Sequence, residues 1–197
     1  MSDLFFPSVG FAVGSIPCSY LAARLVSGKD VRKEGSGNVG ATNVFRVAGR
    51  AAGIAAALGD VFKSLLPVLA ARLSGIAPLW QAVTAAAVIA GHCYSPFLKF
   101  RGGKGVASTI TVSLVLCWPA ALAFGIVWFG VFFACGYVSL ASILASFALP
   151  LVAALVHANR SITIFFCLAS LFVLFKHREN VRRLLDGTES RMRKKEE

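Results

Sequence analysis

From Gly105 to Asn159 the chain runs for 55 residues without one Asp, Glu, Lys or Arg. A water-surrounded domain must clothe its core in charged side chains, whereas hydrocarbon accepts apolar residues on every face. The stretch is long enough for nearly three crossings of about 20 residues each. It is flanked by further apolar runs at 4–26, 51–73, 79–98 and 161–176. Charged residues make up only 15% of the 197, against about 25% in an average soluble domain. A disordered chain is thereby excluded, and the pattern is that of an all-α integral membrane protein with one domain over 1–197. Met1-Ser2-Asp3 offers no basic region ahead of the first apolar run, which therefore reads as a retained span rather than a cleaved signal.

The net charge of +11 gains meaning from its placement. Five basic residues (Lys29, Arg32, Lys33, Arg46, Arg50) follow the first span. Lys99, Arg101 and Lys104 follow the third, and Lys176, Arg178, Arg182, Arg183, Arg191, Arg193, Lys194 and Lys195 fill the tail at 177–197. The positive-inside rule puts all three groups in the cytoplasm and leaves no need for a nucleic-acid partner. Lys104 and Lys176 must then be separated by an even number of crossings. Trp118-Pro119 and Gly136-Tyr137 divide the uncharged stretch into 105–117, 119–135 and 138–157. About seven transmembrane helices are predicted, with the N-terminus outside and the C-terminus cytoplasmic. The segment 105–117 is short for a full crossing. Arg72 and Arg160 fall on the outer side, near span ends from which they can snorkel.

Three polar segments carry the chemistry, all on the cytoplasmic side in this topology. The first is Gly35-Ser36-Gly37-Asn38-Val39-Gly40-Ala41-Thr42-Asn43, followed by Arg46. Its glycines let backbone N–H groups converge on an anion, and its small hydroxyl and amide side chains add neutral donors. Arg46 can grip phosphate oxygens in a charge-assisted fork, and Asn43 is placed to cap a short helix running toward Arg50. A flexible basic loop near anionic lipid is the plainer alternative. The second is Phe100-Arg101-Gly102-Gly103-Lys104-Gly105, which sets a lysine between glycines at the start of a span. It is not a Walker loop, since GxxxxGK[ST] is not satisfied. The third, His177 to Gly187, suits an amphipathic helix at the interface, with Val181, Leu184 and Leu185 against Arg178, Arg182 and Arg183. His177 and Asn180 lie one turn apart and suit sugar or glycerol hydroxyls.

Within the spans, Asp60 and Lys63 stand at i and i+3 and are expected to pair structurally, and His92 to be a hydrogen-bonded structural histidine. Five cysteines lie singly in apolar stretches as buried thiols, with no CxxC pair for zinc. The positions five residues after each histidine hold Phe97, Ile162 and Arg182, so no H-x4-D acyltransferase base exists. The nine acids are scattered, which argues against an aspartate-rich metal site and thus against CDP-alcohol phosphotransferases and polyprenyl synthases. No metal or cofactor is expected. From residues alone a small anion transporter remains open, although no inverted repeat is visible and the polar groups sit on one face. A non-enzymatic scaffold for lipid synthesis remains open as well.

The chain resembles the membrane-embedded acyl-phosphate:glycerol-3-phosphate acyltransferases of bacteria, the PlsY family. The resemblance rests on the three segments above, on Gly14-Ser15-Ile16-Pro17 with 20–30, on Gly91-His92 and Ser95-Pro96-Phe97-Leu98, and on Arg183 to Gly187. Small departures are Ser108, where the family often has Thr, and Cys18. The resemblance implies acyl transfer from acyl phosphate to the sn-1 hydroxyl of glycerol 3-phosphate, giving lysophosphatidic acid and phosphate, in the bacterial inner membrane. Lys104, Ser36, His177 and Asn180 would form its catalytic set. Ser36, Gly37, Asn38, Thr42, Asn43 and Arg46 would cradle phosphate, and Gly102, Gly103 and Gly105 would let the backbone approach it. Lys104 would offset charge on the leaving group, Ser142 would be a wall residue, and His177 with Asn180 would hold glycerol 3-phosphate. Partners would be these two substrates and membrane lipid. A monomer and an association with an acyl-phosphate-producing enzyme are both compatible with it. Acyl-CoA or acyl carrier protein remains open as donor.

Overall fold

The computed structural model describes residues 2–192, with Ser2 and Asp3 described only as backbone. Met1 and the tail residues Arg193, Lys194 and Lys195, counted above for orientation, lie outside the described residues. Among those described, the chain forms nine α-helices, most of them divided by proline or glycine. They are α1 (Ser2–Gly14), α2 (Cys18–Ser27), α3 (Ala41–Leu73), α4 (Pro78–Cys93), α5 (Val106–Leu116), α6 (Trp118–Cys135), α7 (Val138–Leu155), α8 (Arg160–Lys176) and α9 (Arg178–Leu185). The punctuation expected at Trp118-Pro119 and Gly136 is where the chain breaks. Pro119 sits in the first turn of α6, and Gly136 ends that helix at φ 76° while its N–H bonds the Phe132 carbonyl. The first apolar run is itself broken at Ser15–Pro17, because Pro17 has no N–H to continue the helical ladder.

Four segments are long and apolar enough to cross a bilayer: Leu4–Ser27, Ala41–Leu73, Trp118–Cys135 and Val138–Leu155. A fifth is added if α8 and α9, bent by 58°, count as one span. The seven crossings expected from charge parity also require α4 and α5. Their 16 and 11 residues rise only about 24 and 16 Å, against a hydrocarbon core of about 30 Å. Helix length and charge parity therefore give different counts, and the difference lies in these two elements.

The helices gather into two compact units, Met1–Val115 and Leu116–Glu197. In the first, α1 packs on α3 and α4, α2 on α3, and α3 on α4. Helix α3 is apolar outside and polar within. Ile54, Leu58, Phe62 and Leu66 are exposed at every fourth position, while Ala56, Asp60, Lys63 and Ser64 are buried. A lipid-surrounded helix takes this form, because tails contact apolar side chains while polar ones find partners inside. Contact between α1 and α4 is made backbone to backbone. A Cβ on Gly14 would run into the Val88 main chain, and one on Gly91 into the Phe11 carbonyl. Gly14→Val is accordingly expected to lower stability by at least about 2 kcal/mol, read as a fall in Tm in detergent.

In the second unit α7 packs against α6, α8 and α9. Its buried face is mostly small: Ser139, Ser142, Ser146, Ala141, Ala145 and Ala153 accompany Ile143 and Leu149. Small side chains let helices approach closely without an apolar driving force. The Trp128 indole of α6 donates to Ser142 Oγ at 3.1 Å, and Ser170 of α8 donates its hydroxyl to the Ser146 carbonyl.

Candidate active site

The loop between α2 and α3 is an ordered structure seated on an apolar plug. Val31, Val39 and Leu98 are buried with Ala23, Val44, Ala52 and Ala56. Asp30 grips Arg32 through two guanidinium nitrogens, at 2.9 and 2.7 Å. The Arg32 guanidinium beside it holds the Asp30 carboxyl well below the ordinary aspartate range. Arg32 in turn lies over the Tyr20 ring, 4.7 Å from its centroid. The side chain of Asn43 organises the loop from inside. Its Oδ1 accepts from the Ser36 N–H at 3.0 Å, and its Nδ2 donates to the carbonyls of Val31 and Glu34 at 3.0 and 3.1 Å.

That geometry corrects one expectation. Asn43 does not cap the helix. Gly40 does so in an extended conformation, three residues earlier, and the Asn43 amide is turned back onto the loop. The short helix toward Arg50 does exist, because Gly49 at φ 85° kinks α3 there. Of the expected cradle, Ser36, Gly37 and Arg46 are exposed, Asn38 and Thr42 are half-buried, and Asn43 is buried. Ser36, Asn38, Thr42 and Arg46 lie within five residues of Ala41 along the chain, the first residue of α3, where unsatisfied N–H groups favour an anion.

The second glycine segment lies against the end of α4. Gly102 N–H donates to the Cys93 carbonyl at 3.1 Å and Gly103 N–H to the His92 carbonyl at 3.2 Å. These are among the last carbonyls of α4, which have no helical partner of their own. A Cβ on Gly102 would strike the His92 carbonyl, and one on Gly103 the His92 ring. Close approach to α4 is thus one reason for glycine at 102 and 103. Gly105 alone of the three takes a left-handed conformation, φ 82°, and delivers the chain into α5. Lys104 stands half-buried between the pinned pair and the N-terminus of α5. The start of α5 is fixed to α3 as well, since Ser64 Oγ donates to Ser108 Oγ at 2.9 Å.

The expected Asp60–Lys63 pair is present, at 2.8 Å and buried. Ser19 of α2 donates to the second carboxylate oxygen at 2.7 Å. The pair has a third neighbour that spacing did not reveal, the His92 ring, with Nδ1 3.7 Å from Asp60 Oδ1. Among the described residues no three His, Cys, Asp or Glu side chains gather in a way that could hold a metal ion.

In the second unit, His177 closes α8 and opens α9. Its Nδ1 lies 2.8 Å from the Val173 carbonyl, so in the neutral ring the proton sits on Nδ1 and Nε2 is the accepting nitrogen. Asn180 is buried, and its amide donates to Glu189 Oε1 at 2.7 Å. Ser139 donates to the same oxygen at 2.7 Å, and Arg183 Nε to Oε2 at 2.7 Å. Burial raises the Glu189 pKa, but the hydrogen bonds from Ser139, Asn180 and Arg183 outweigh it and hold the carboxyl below its ordinary range. Sequence reading missed Glu189. The available signal was Gly187, which ends α9 at φ 69° and turns the chain back so that Thr188 and Glu189 donate to the Arg183 carbonyl. Ser142 donates to the Val138 carbonyl at 2.7 Å while accepting from Trp128, so it ties α6 to α7.

A folded carboxyl with a depressed pKa stabilises above the ordinary glutamate value and loses that contribution as pH falls through the depressed value. The tail should therefore loosen on acidification below about 4.3. The measurement is hydrogen-exchange protection at the Met192 amide, which donates to the Gly136 carbonyl at 3.0 Å. Protection should also be lost at neutral pH in Glu189→Ala.

A family model described as glycerol-3-phosphate acyltransferase matches residues 4–187 and so runs through both units. The chain belongs to the glycerol-3-phosphate acyltransferase family. It is 44% identical to a glycerol-3-phosphate acyltransferase of Geobacter sulfurreducens over 98% of this chain and 99% of that one. A second relative of that name, from Thermotoga maritima, is 42% identical over 95% of each chain. A crystal structure of PlsY (YgiH), an integral membrane glycerol 3-phosphate acyltransferase in its glycerol 3-phosphate form, superposes with a TM-score of 0.93 at 36% identity. That match covers 98% of this chain and 96% of the other. The lysophosphatidic acid form of the same enzyme superposes with a TM-score of 0.89. With this likeness, the apolar helices are those of a multi-pass membrane protein.

Proposed function

We propose that the chain transfers a fatty acyl group from acyl phosphate to the sn-1 hydroxyl of glycerol 3-phosphate in a bacterial inner membrane, releasing lysophosphatidic acid and inorganic phosphate for phospholipid synthesis. The observation that carries this reading is the full-length likeness to an integral membrane glycerol 3-phosphate acyltransferase, structural as well as sequential. The polar chemistry agrees with it. Both substrates are anionic at one end, and the candidate residues offer donors and positive charge: Ser36, Asn38, Thr42 and Arg46 around the N-terminus of α3, and Lys104 at the N-terminus of α5.

In the mechanism the sn-1 oxygen attacks the acyl carbonyl carbon and the bond from that carbon to the phosphate oxygen breaks. The hydroxyl proton passes to the departing phosphate, so no protein base and no acyl-enzyme are required. Acyl phosphate is already activated, and positioning with electrostatic stabilisation supplies the rate enhancement. Lys104 offsets charge that moves onto the leaving group. His177 and Asn180 hold glycerol 3-phosphate, with Nε2 of His177 accepting from a hydroxyl and Glu189 fixing the Asn180 amide. Asn43 and Gly37 shape the first loop. Seven crossings place the N-terminus outside and all three polar segments in the cytoplasm, with the chain acting as one functional domain. The test is a trapping experiment with labelled acyl phosphate and no acceptor. The protein should remain unlabelled, and a covalent acyl adduct would overturn direct attack.

A further inference from the structure

We infer that the buried Asp60–Lys63–His92 cluster positions Lys104, with His92 as the positioning residue that hands the placement of the ion pair on to the glycine segment. The inference rests on the reading of Lys104 given above.

Burying an ion pair is costly, and well-packed apolar residues of similar volume often stabilise a protein as much or more. The pair is therefore poorly explained by stability alone. Its location suggests another purpose. Lys63 Nζ is held by Asp60 Oδ1 and by the Ile16 carbonyl, each at 2.8 Å. Ser19 holds Asp60 Oδ2 from α2 at 2.7 Å. Three segments of the chain thus fix where the carboxylate stands. The Nδ1 edge of His92 faces that carboxylate at 3.7 Å. The Nε2 edge faces Gly103 so closely that a Cβ there would fall on it. The His92 carbonyl also receives the Gly103 N–H, at 3.2 Å. Gly103 is consequently set by His92 through both ring and backbone, and Lys104 is the next residue.

A small pocket, with room for about one water molecule, adjoins the cluster, with Ser19, Asp60, Lys63, His92, Ser95 and Gly103 among its lining. A misplacement of about 1 Å in a reacting group costs roughly a hundredfold in rate, so loss of the ring should be felt as a rate effect at Lys104.

The test is a double-mutant cycle between His92 and Lys104 in protein reconstituted in lipid, with radiolabelled glycerol 3-phosphate and long incubations to read weak turnover. His92→Ala should lower kcat roughly a hundredfold with the smaller change in KM. The same substitution in the Lys104→Ala background should cost less than about twofold, because no charge remains to be placed. His92→Asn, which keeps a donor near the Nδ1 position, should recover most of the loss. Gly103→Ala, whose methyl group pushes on the ring, should show the same dependence on Lys104 and serves where His92→Ala fails to fold. Equal losses in the two backgrounds, or an unchanged kcat in both single variants, would overturn the inference. A wild type that turns over acyl-CoA and not acyl phosphate would overturn the proposed donor, while the cycle runs unchanged with acyl-CoA.

Discussion

Replacing Lys104 with Ala should reduce kcat/KM for acyl transfer by roughly 10²- to 10³-fold, the range seen when one preorganised charge-stabilising group is removed. Fold and stability should be close to wild type, because the backbone around it is set by other groups. Gly102 and Gly103 are bonded to the end of α4, and Ser108 to Ser64 of α3. Lys104 stands two residues ahead of Val106, the first residue of α5, so in the proposed site its charge and the helix dipole act together on an anion. In the proposed mechanism its positive charge offsets the charge that develops on the bridging oxygen of the leaving phosphate only as the bond to the acyl carbon breaks. The loss should therefore fall mainly on kcat. Steady-state kinetics in lipid check this. An intact kcat would remove Lys104 from the chemistry.

The second large effect concerns stability. Lys63→Met removes the counter-charge from Asp60, whose side chain is 1% exposed. An uncompensated buried charge costs about 3–5 kcal/mol, and the site lies in a span where water is scarce. The variant should show a sharply lower Tm or fail to accumulate in the membrane. Asp60→Asn combined with Lys63→Met should recover most of that loss, since a neutral amide can still accept from Ser19 and no charge is left unpaired. Equal Tm values for Lys63→Met and wild type would mean that the pair contributes nothing to the fold.

Much of this architecture was legible because membrane helices announce themselves through composition and their ends through proline and glycine. The breaks at Pro119 and Gly136 fell where a missing N–H and a left-handed turn require them. Asp60 and Lys63 pair as their spacing suggested. The first run hid its interruption because one proline among apolar residues does not disturb hydropathy, yet it ends α1 and begins α2. The start of α3 lay ten residues ahead of the apolar run at 51–73, since Ala41, Val44, Val47 and Ala48 pack against the apolar plug and hold 41–50 as helix, while Gly49 only kinks it.

The candidate site was legible in residue type more than in role. Asn43 was read as a ligand and a cap, and it is the internal tie of its loop. Gly102 and Gly103 were read as room for phosphate, and their bare Cα atoms also lie against the end of α4. Both added roles were hidden for one reason. A donor in a glycine-rich loop satisfies backbone as readily as ligand, and only the folded chain shows which carbonyls are nearby. Glu189 was missed, and His92 was read as a structural histidine without its neighbour Asp60, because each reaches its partners across a turn or between helices, at separations that no local pattern records.

The most direct test of the central claim is phosphate release from palmitoyl phosphate by the purified protein in lipid, followed together with lysophosphatidic acid formation. One phosphate should appear per lysophosphatidic acid, release should require glycerol 3-phosphate, and both should be lost in Lys104→Ala. Turnover with acyl-CoA and none with palmitoyl phosphate would contradict that claim, as would phosphate release that proceeds equally well without glycerol 3-phosphate.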